Sequence, residues 1–256
     1  MAHGAEDREC RMSAIRTAMV LAAGLGKRMR PLTDTLPKPL VEVAGRSLID
    51  RVFDRLIAAG VTRIVVNLHH HRAILEAHVA KRRDAEFVLS PEAELLETGG
   101  GVLHALPLLG DAPFFCANAD VLWFDGATPA LARMADAWAA QRPQALLLMN
   151  SAAAARGYEG RGDYFMDGFG RARRRQGNQI APFVYAGVQI LTASCFAGQE
   201  PGRFSLNRVY DAAEAADGLV GIAHDGLWFH VGTPESVAET EFELGWSHVR
   251  PYPPRR

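Results

Sequence analysis

Cysteine is scarce in this sequence: Cys10, Cys116 and Cys195 are the only three. They are odd in number, far apart and form no CxxC, which excludes a zinc ribbon and a disulfide framework and fits a reducing cytoplasm. Cys116, inside PFFCA, reads as a small buried hydrophobe. Long apolar runs are missing too. No uncharged stretch approaches the roughly 18 residues needed to span a bilayer, and the charged N-terminus MAHGAEDRECRM is no secretory signal. Neither sign of charge dominates. The 28 basic and 29 acidic side chains give a formal net charge of -1, which excludes a chain-wide electrostatic footprint for nucleic acid. There are no repeats, low-complexity tracts or linkers. What remains is a chain of 256 residues, 48% hydrophobic and 22% charged, ample for a sizeable core and unlike a disordered one.

Residues 1–13 read as a disordered leader, with Met12 as an alternative start. Residues 247–256, rich in proline and arginine, read as a loose tail. Between them, 14–246 is expected to form one domain. Short apolar strands are predicted at 15–21, 63–68, 86–90, 114–117 and 145–150. Helices are predicted at 48–59, capped by Ser47 and ended by Gly60, and at 71–81, 98–109 and 128–141. This βαβα order implies an α/β fold with a parallel sheet flanked by helices. After Asn150 the pattern changes. A hairpin around Asp167-Gly168, strands at 183–191 and 219–223, and a helix at 207–216 predict a smaller mixed-sheet portion laid over the first. Ligands of such sheets bind at the carboxyl ends of the strands, so the loops after Leu21, Ser90, Ala117 and Asn150 are the places to search.

The loop after the first strand reads Leu21-Ala22-Ala23-Gly24-Leu25-Gly26-Lys27-Arg28-Met29-Arg30-Pro31, followed by Leu36-Pro37-Lys38-Pro39-Leu40. It is not a P-loop, because GxxxxGK[ST] is absent. It is a poor dinucleotide fingerprint, because Met29 stands at the third glycine position. Glycines with Lys27, Arg28, Arg30 and Lys38, stiffened by three prolines, nevertheless suit a polyphosphate: Arg grips phosphate bidentately and Lys acts as a point charge. His69-His70-His71 reads as a solvated strand-to-helix junction, since consecutive side chains diverge. RARRR at 171–175 reads as a solvated hairpin arm without an aromatic platform.

LAAGLGKRMRPLT followed by PKPL resembles the bacterial sugar-1-phosphate nucleotidyltransferases. The resemblance continues through LLETGGG (95–101), NAD (118–120), RGDY (161–164), YAGVQIL (185–191) and HVGTPE (230–235). The LETGGG and RGD pieces are most similar to the uridylyltransferases of N-acetylmuramate 1-phosphate, which serve cell-wall sugar recycling. Mannose-1-phosphate guanylyltransferases share the first motif and form the alternative; a nucleotide-sugar-binding regulator without turnover is the alternative of another class. The resemblance implies a Rossmann-like, mostly parallel sheet and in-line attack of a sugar phosphate on a nucleoside triphosphate, with Mg²⁺ and no covalent enzyme intermediate. It also implies site residues. Ala22, Ala23 and Gly24 would face the nucleoside, Gly26 and Arg28 the β- and γ-phosphates, and Lys38 the α-phosphate. Thr98 and Gly99 would line the base pocket, Asn118 would bind the nucleotide, and Glu92 would either read a base edge or be an exposed loop acid. Asp120 would be the Mg²⁺ ligand rather than a turn cap. Asn150, Asp163 and Gly187 would meet the sugar, although Asn150 also suits a turn. Two departures stand out: Ala119 replaces a glycine, and His230 replaces an acid that the family often supplies to the metal, a place Asp225 or a water could fill. The partners implied are small molecules, with no nucleic acid or membrane, and the protein is expected to be a monomer.

Overall fold

The structure is a computed structural model, which describes residues 15–246; the leader and tail expected over 1–13 and 247–256 lie outside the described residues. The chain opens with β1 (Thr17–Leu21) and a two-residue ribbon, β2 (Glu42–Val43) with β3 (Arg46–Ser47). Helix α1 (Leu48–Ala58) follows, then β4 (Arg63–Leu68), α2 (Arg72–Val79), β5 (Glu86–Pro91), α3 (Glu97–Leu109), β6 (Phe114–Asn118), β7 (Leu122–Phe124) and α4 (Ala130–Gln141). The second half adds β8 (Ala145–Ser151), the hairpin β9 (Tyr164–Met166) and β10 (Ala172–Arg174), then β11 (Phe183–Leu191), α5 (Asn207–Ala215), β12 (Leu219–Ala223), β13 (Leu227–Phe229) and α6 (Pro234–Glu243).

β1 lies at the centre of the sheet, parallel to β4 on one side and to β6 on the other, and β5 continues the parallel set beyond β4. Side chains alternate across the pleat. Ala18 and Val20 join one core with Ile64, Val66, Phe115 and the apolar faces of α1, α2 and α4. Met19 joins another, with Val65, Phe114, Cys116 and residues of α3 and α5. Both faces are therefore covered, which is why these strands read as continuous apolar runs. Cys116 is fully buried, and burial pushes its thiol up to about 12.

The C-terminal strands carry the mixed character expected of them, but they do not lie over the first half. They extend the same sheet edgewise. β11 runs antiparallel to both β6 and β8, β12 pairs parallel with β8, and the hairpin closes the edge in the order β10-β9-β11. The physical reason is that β6 would otherwise be an open edge; β11 covers its backbone groups directly.

A third, smaller core packs Met29, Val41, Val43, Leu48, Leu122, Phe229 and Val231 between the two ribbons, β2–β3 and β13–β7. It fixes the loop after β1 against the loop before α6, and the site lies between these loops.

Candidate active site

Three cavities open beyond the carboxyl ends of β1, β4 and β6, and Asp120 borders all of them. The first, about 240 Å³, is lined by Ala22, Gly24, Gly26, Lys27, Arg28, Lys38 and Asp120 among others. Its shape follows from the loop. Gly26 takes a positive φ of 60°, and a Cβ there would sit 3.0 Å from both Lys38 Cβ and Thr33 Cγ2. The buried Thr33 hydroxyl donates to the Gly26 carbonyl at 2.9 Å, and the fully buried Met29 anchors the turn between the cations. Arg28 is thereby left exposed at the mouth, with no ion pair to another described residue. Lys38 reaches inward from between its two prolines, and its ammonium meets the Asp120 carboxylate at 2.5 Å.

The second cavity, about 410 Å³, is lined by Ala23, Gly24, Asn67, Thr98, Asn118, Asp120 and Ser205 among others. A buried polar relay stands behind it. The Ala22 amide donates to Asn67 Oδ1 at 2.7 Å, Asn67 Nδ2 donates to Glu92 Oε1 at 2.7 Å, and the Leu96 amide donates to Glu92 Oε2 at 3.0 Å. Both Glu92 oxygens are thus engaged inside the protein, and Glu92 is only 6% exposed. It faces neither the cavity nor solvent. The glycine run of α3 has a steric purpose. A Cβ on Gly99 would lie 2.4 Å from the Phe204 ring, and one on Gly100 would lie 2.1 Å from the Gly202 carbonyl. Without side chains there, segment 202–206 lies directly on the helix start. The Gly99 and Gly100 amides donate to the Phe204 carbonyl, and the Leu206 amide donates to Thr98 Oγ1. Thr98 therefore lines the cavity, while Gly99 lies behind its wall.

The third cavity, about 210 Å³, gathers Arg28, Lys38, Asn118, Asp120, Tyr158, Asp163, Tyr185, Gly187 and His230 with others. Gly162, at φ 70°, brings its backbone so close to Ala181 that a Cβ would meet the Ala181 carbonyl at 2.0 Å. This turn aims Asp163, whose Oδ2 accepts the Tyr185 amide at 3.0 Å. Gly187, at φ 83°, makes the bend where the register of β11 shifts, and a Cβ there would strike Val121 at 2.2 Å. His230 packs between the Tyr158 and Trp228 rings, at 6.2 and 6.1 Å. Burial, and then the charges of Arg28 and Lys38, hold its imidazole below its usual range, so it is neutral at pH 7.

Asn150 is not brought into this arrangement. It is 1% exposed, its amide donates to the Ser151 carbonyl at 3.0 Å, and it lines none of the three cavities. The buried register of β8 against β11 holds it inside the sheet. Asp225, the acid that could have stood in for His230, is held by Arg133 at 2.5 Å and also lines none of the three. The three histidines act as a junction: His69 contacts the Glu92 carbonyl, and His71 starts α2 in a left-handed conformation.

Among the described residues, no three His, Cys, Asp or Glu side chains gather as a metal cage. Asp120 offers one hard oxygen donor beside the basic side chains of the first cavity. That donor set fits Mg²⁺, which binds through one or two carboxylates and completes its shell with phosphate oxygens and water. The His230 nitrogen adds little to it.

Sequence reasoning passed over Asn67, whose signal is a polar residue within the otherwise buried run RIVVNL. It also passed over Tyr158 and Trp228, which reach the site from separate segments with no local motif, and it read Tyr185 only as the start of YAGVQIL without giving it a place in the site.

A family model described as nucleotidyl transferase matches residues 17–158, which carry the glycine loop, Lys38, the relay and Asp120. The chain belongs to the nucleotidyl transferase family. It is 45% identical over 237 residues to the N-acetylmuramate alpha-1-phosphate uridylyltransferase of Caulobacter vibrioides, covering 90% of this chain and 98% of that one. It is 36% identical to the protein of the same name from Neisseria meningitidis, over 89% and 98%. A mannose-1-phosphate guanyltransferase of Hypocrea jecorina is 40% identical, but only over 41% of this chain and 30% of its own. Among solved structures, the inositol-1-phosphate CTP transferase from T. maritima has the same fold at 20% identity, with a TM-score of 0.74 over 91% of this chain and 96% of that one.

Proposed function

We propose that this family member transfers the uridylyl group of UTP to N-acetylmuramate 1-phosphate, giving UDP-N-acetylmuramate and pyrophosphate in the cytoplasmic recycling of cell-wall sugars. The observation that carries this reading is the 45% identity to a uridylyltransferase of that name over nearly the whole of both chains. Similarity to the guanyltransferases stops short of half the chain.

The geometry supports a division of labour. The cavity walled by Ala23, Gly24, Thr98 and Asn118 suits the nucleoside, with the Ala22 backbone held by Asn67. Glu92 and Gly99 position that wall from behind. Gly26 and Arg28 suit the β- and γ-phosphates, and Lys38 the α-phosphate. Asp163 and Gly187 border the cavity for the sugar, and Asn150 acts through the sheet rather than on the sugar.

In the reaction, a phosphate oxygen of the sugar phosphate forms a bond to the α-phosphorus. The bond from that phosphorus to the bridging oxygen breaks, and pyrophosphate leaves with the electron pair. Positioning and charge stabilisation account for catalysis of this kind. Arg28 stabilises the departing pyrophosphate, and Lys38 offsets charge at the reacting phosphorus. Mg²⁺, held by Asp120, would supply further neutralisation of the triphosphate. The test is product identification by mass: UDP-N-acetylmuramate should accumulate from UTP and N-acetylmuramate 1-phosphate, and added pyrophosphate should drive it back to UTP. Failure of both directions would contradict the reading.

A further inference from the structure

A fourth cavity, about 400 Å³, lies beside the one assigned to the sugar. It is lined by Asp163, Tyr164, Arg174, Arg175, Tyr185, Asn207 and Tyr210. Asp163 and Tyr185 belong to both cavities, so a group projecting from a bound sugar past these two residues enters the fourth cavity.

Its two arginines differ in one respect. Arg174 is already neutralised: its Nε and Nη2 donate to the two oxygens of Asp211 at 2.7 and 2.6 Å. Arg175 is held in place by uncharged partners. Its Nε donates to the Gly162 carbonyl and its Nη1 to the Gly177 carbonyl, both at 2.7 Å, and it has no ion pair with another described residue. The guanidinium is therefore oriented by the same Gly162 turn that aims Asp163, and its charge is left without a counter-ion. A half-buried, pre-oriented guanidinium of this kind suits a carboxylate, which it can grip with parallel N–H bonds.

N-acetylmuramate differs from N-acetylglucosamine by a lactyl ether on the sugar ring, which ends in a carboxylate. We propose that the fourth cavity receives this lactyl arm and that Arg175 pairs with its carboxylate, which makes Arg175 a specificity-determining residue. The proposal rests on the uridylyltransferase reading above. On this assignment Asp163 stays with the uncharged ring, and Arg28 and Lys38 are kept for phosphates.

The test compares kcat/KM for N-acetylmuramate 1-phosphate and N-acetylglucosamine 1-phosphate, with UTP, in the wild type, Arg175→Gln and Arg175→Lys. Where the second sugar gives no turnover, its inhibition constant replaces KM. The preference for the muramate ester should fall roughly 10- to 100-fold in Arg175→Gln, as for loss of one charge-assisted hydrogen bond. The loss should appear in KM rather than kcat, and Arg175→Lys should keep part of the preference. A wild-type enzyme that makes UDP-N-acetylmuramate, together with a Gln variant whose preference is unmoved, overturns this proposal alone. A wild-type enzyme that makes no such product overturns the uridylyltransferase reading, and the proposal with it.

Discussion

Lys38 Nζ and Asp120 Oδ2 lie 2.5 Å apart where the three cavities meet. On the proposed assignment, the cation for the α-phosphate is paired with the carboxylate that would hold the metal. Asp120→Asn removes a negative charge from an anion site, so metal-free UTP should bind as well as in the wild type or more tightly, by calorimetry. Its kcat should nonetheless fall about 100-fold or more, and that of Lys38→Ala about 10²–10³-fold, on the scale of lost transition-state donors. Turnover within tenfold of wild type in Asp120→Asn would remove Asp120 from the chemistry.

The buried relay from Ala22 through Asn67 to Glu92 ties the loop after β1 to the start of α3. Glu92→Gln places an amide N–H against either the Leu96 amide or the Asn67 amide nitrogen. A loss of about 1–3 kcal/mol of stability is expected, with a raised KM for UTP. Denaturant melts of Asn67→Ala, Glu92→Gln and the double variant should be non-additive, as for residues in one network. Strict additivity would contradict the relay.

Gly162 is required by its φ of 70° and by the Ala181 carbonyl, 2.0 Å from where a Cβ would stand. Gly162→Ala should lower Tm and raise KM for the sugar phosphate while leaving KM for UTP near its wild-type value. Gly168, at the hairpin tip, has open space where a Cβ would stand, so Gly168→Ala should leave both KM values in place. Equal effects of the two substitutions would contradict the assigned role of the Gly162 turn.

Asp50, at the start of α1, carries an acid-sensitive share of stability. Burial alone would raise its carboxyl, but the Ser47 hydroxyl, His78 and Arg82 outweigh burial and set it below its ordinary value. A depressed carboxyl stabilises the fold above the unfolded-state pKa of about 3.9, and that contribution is lost as pH falls through the folded value. Asp50→Asn should be less stable than wild type at pH 7 by about 1–3 kcal/mol, and the gap should narrow below about pH 4. Urea melts between pH 7 and 3 measure it; a gap independent of pH would contradict the assignment.

Much of this was legible where the determinants are local. Arg63–Leu68 and Phe183–Leu191 are strands with the bounds their apolar runs suggest, and Ser47 caps α1 through the Asp50 amide. The glycine loop and Asp120 sit together because each follows a neighbouring parallel strand. The ribbon strands Leu122–Phe124 and Leu227–Phe229 are too short to show a period. Helix α6 hides for another reason: its buried positions include Ser236 and Thr240, so it lacks an apolar stripe, although the Thr233–Ser236 capping box and Pro234 mark its start. The burial of Glu92 was not legible, because the side chain that draws it inward, Asn67, comes from a remote strand. Asn150 stands near the end of β8, as its sequence suggests, but its side chain is buried and turned to the Ser151 carbonyl.

The most direct test of the account is pyrophosphate release with Mg²⁺, for UTP, GTP, CTP and dTTP against N-acetylmuramate 1-phosphate, N-acetylglucosamine 1-phosphate and mannose 1-phosphate. The account predicts the highest kcat/KM for UTP with the muramate ester, abolished by Asp120→Ala. Preference for GTP with mannose 1-phosphate, or release that survives Asp120→Ala, would contradict it.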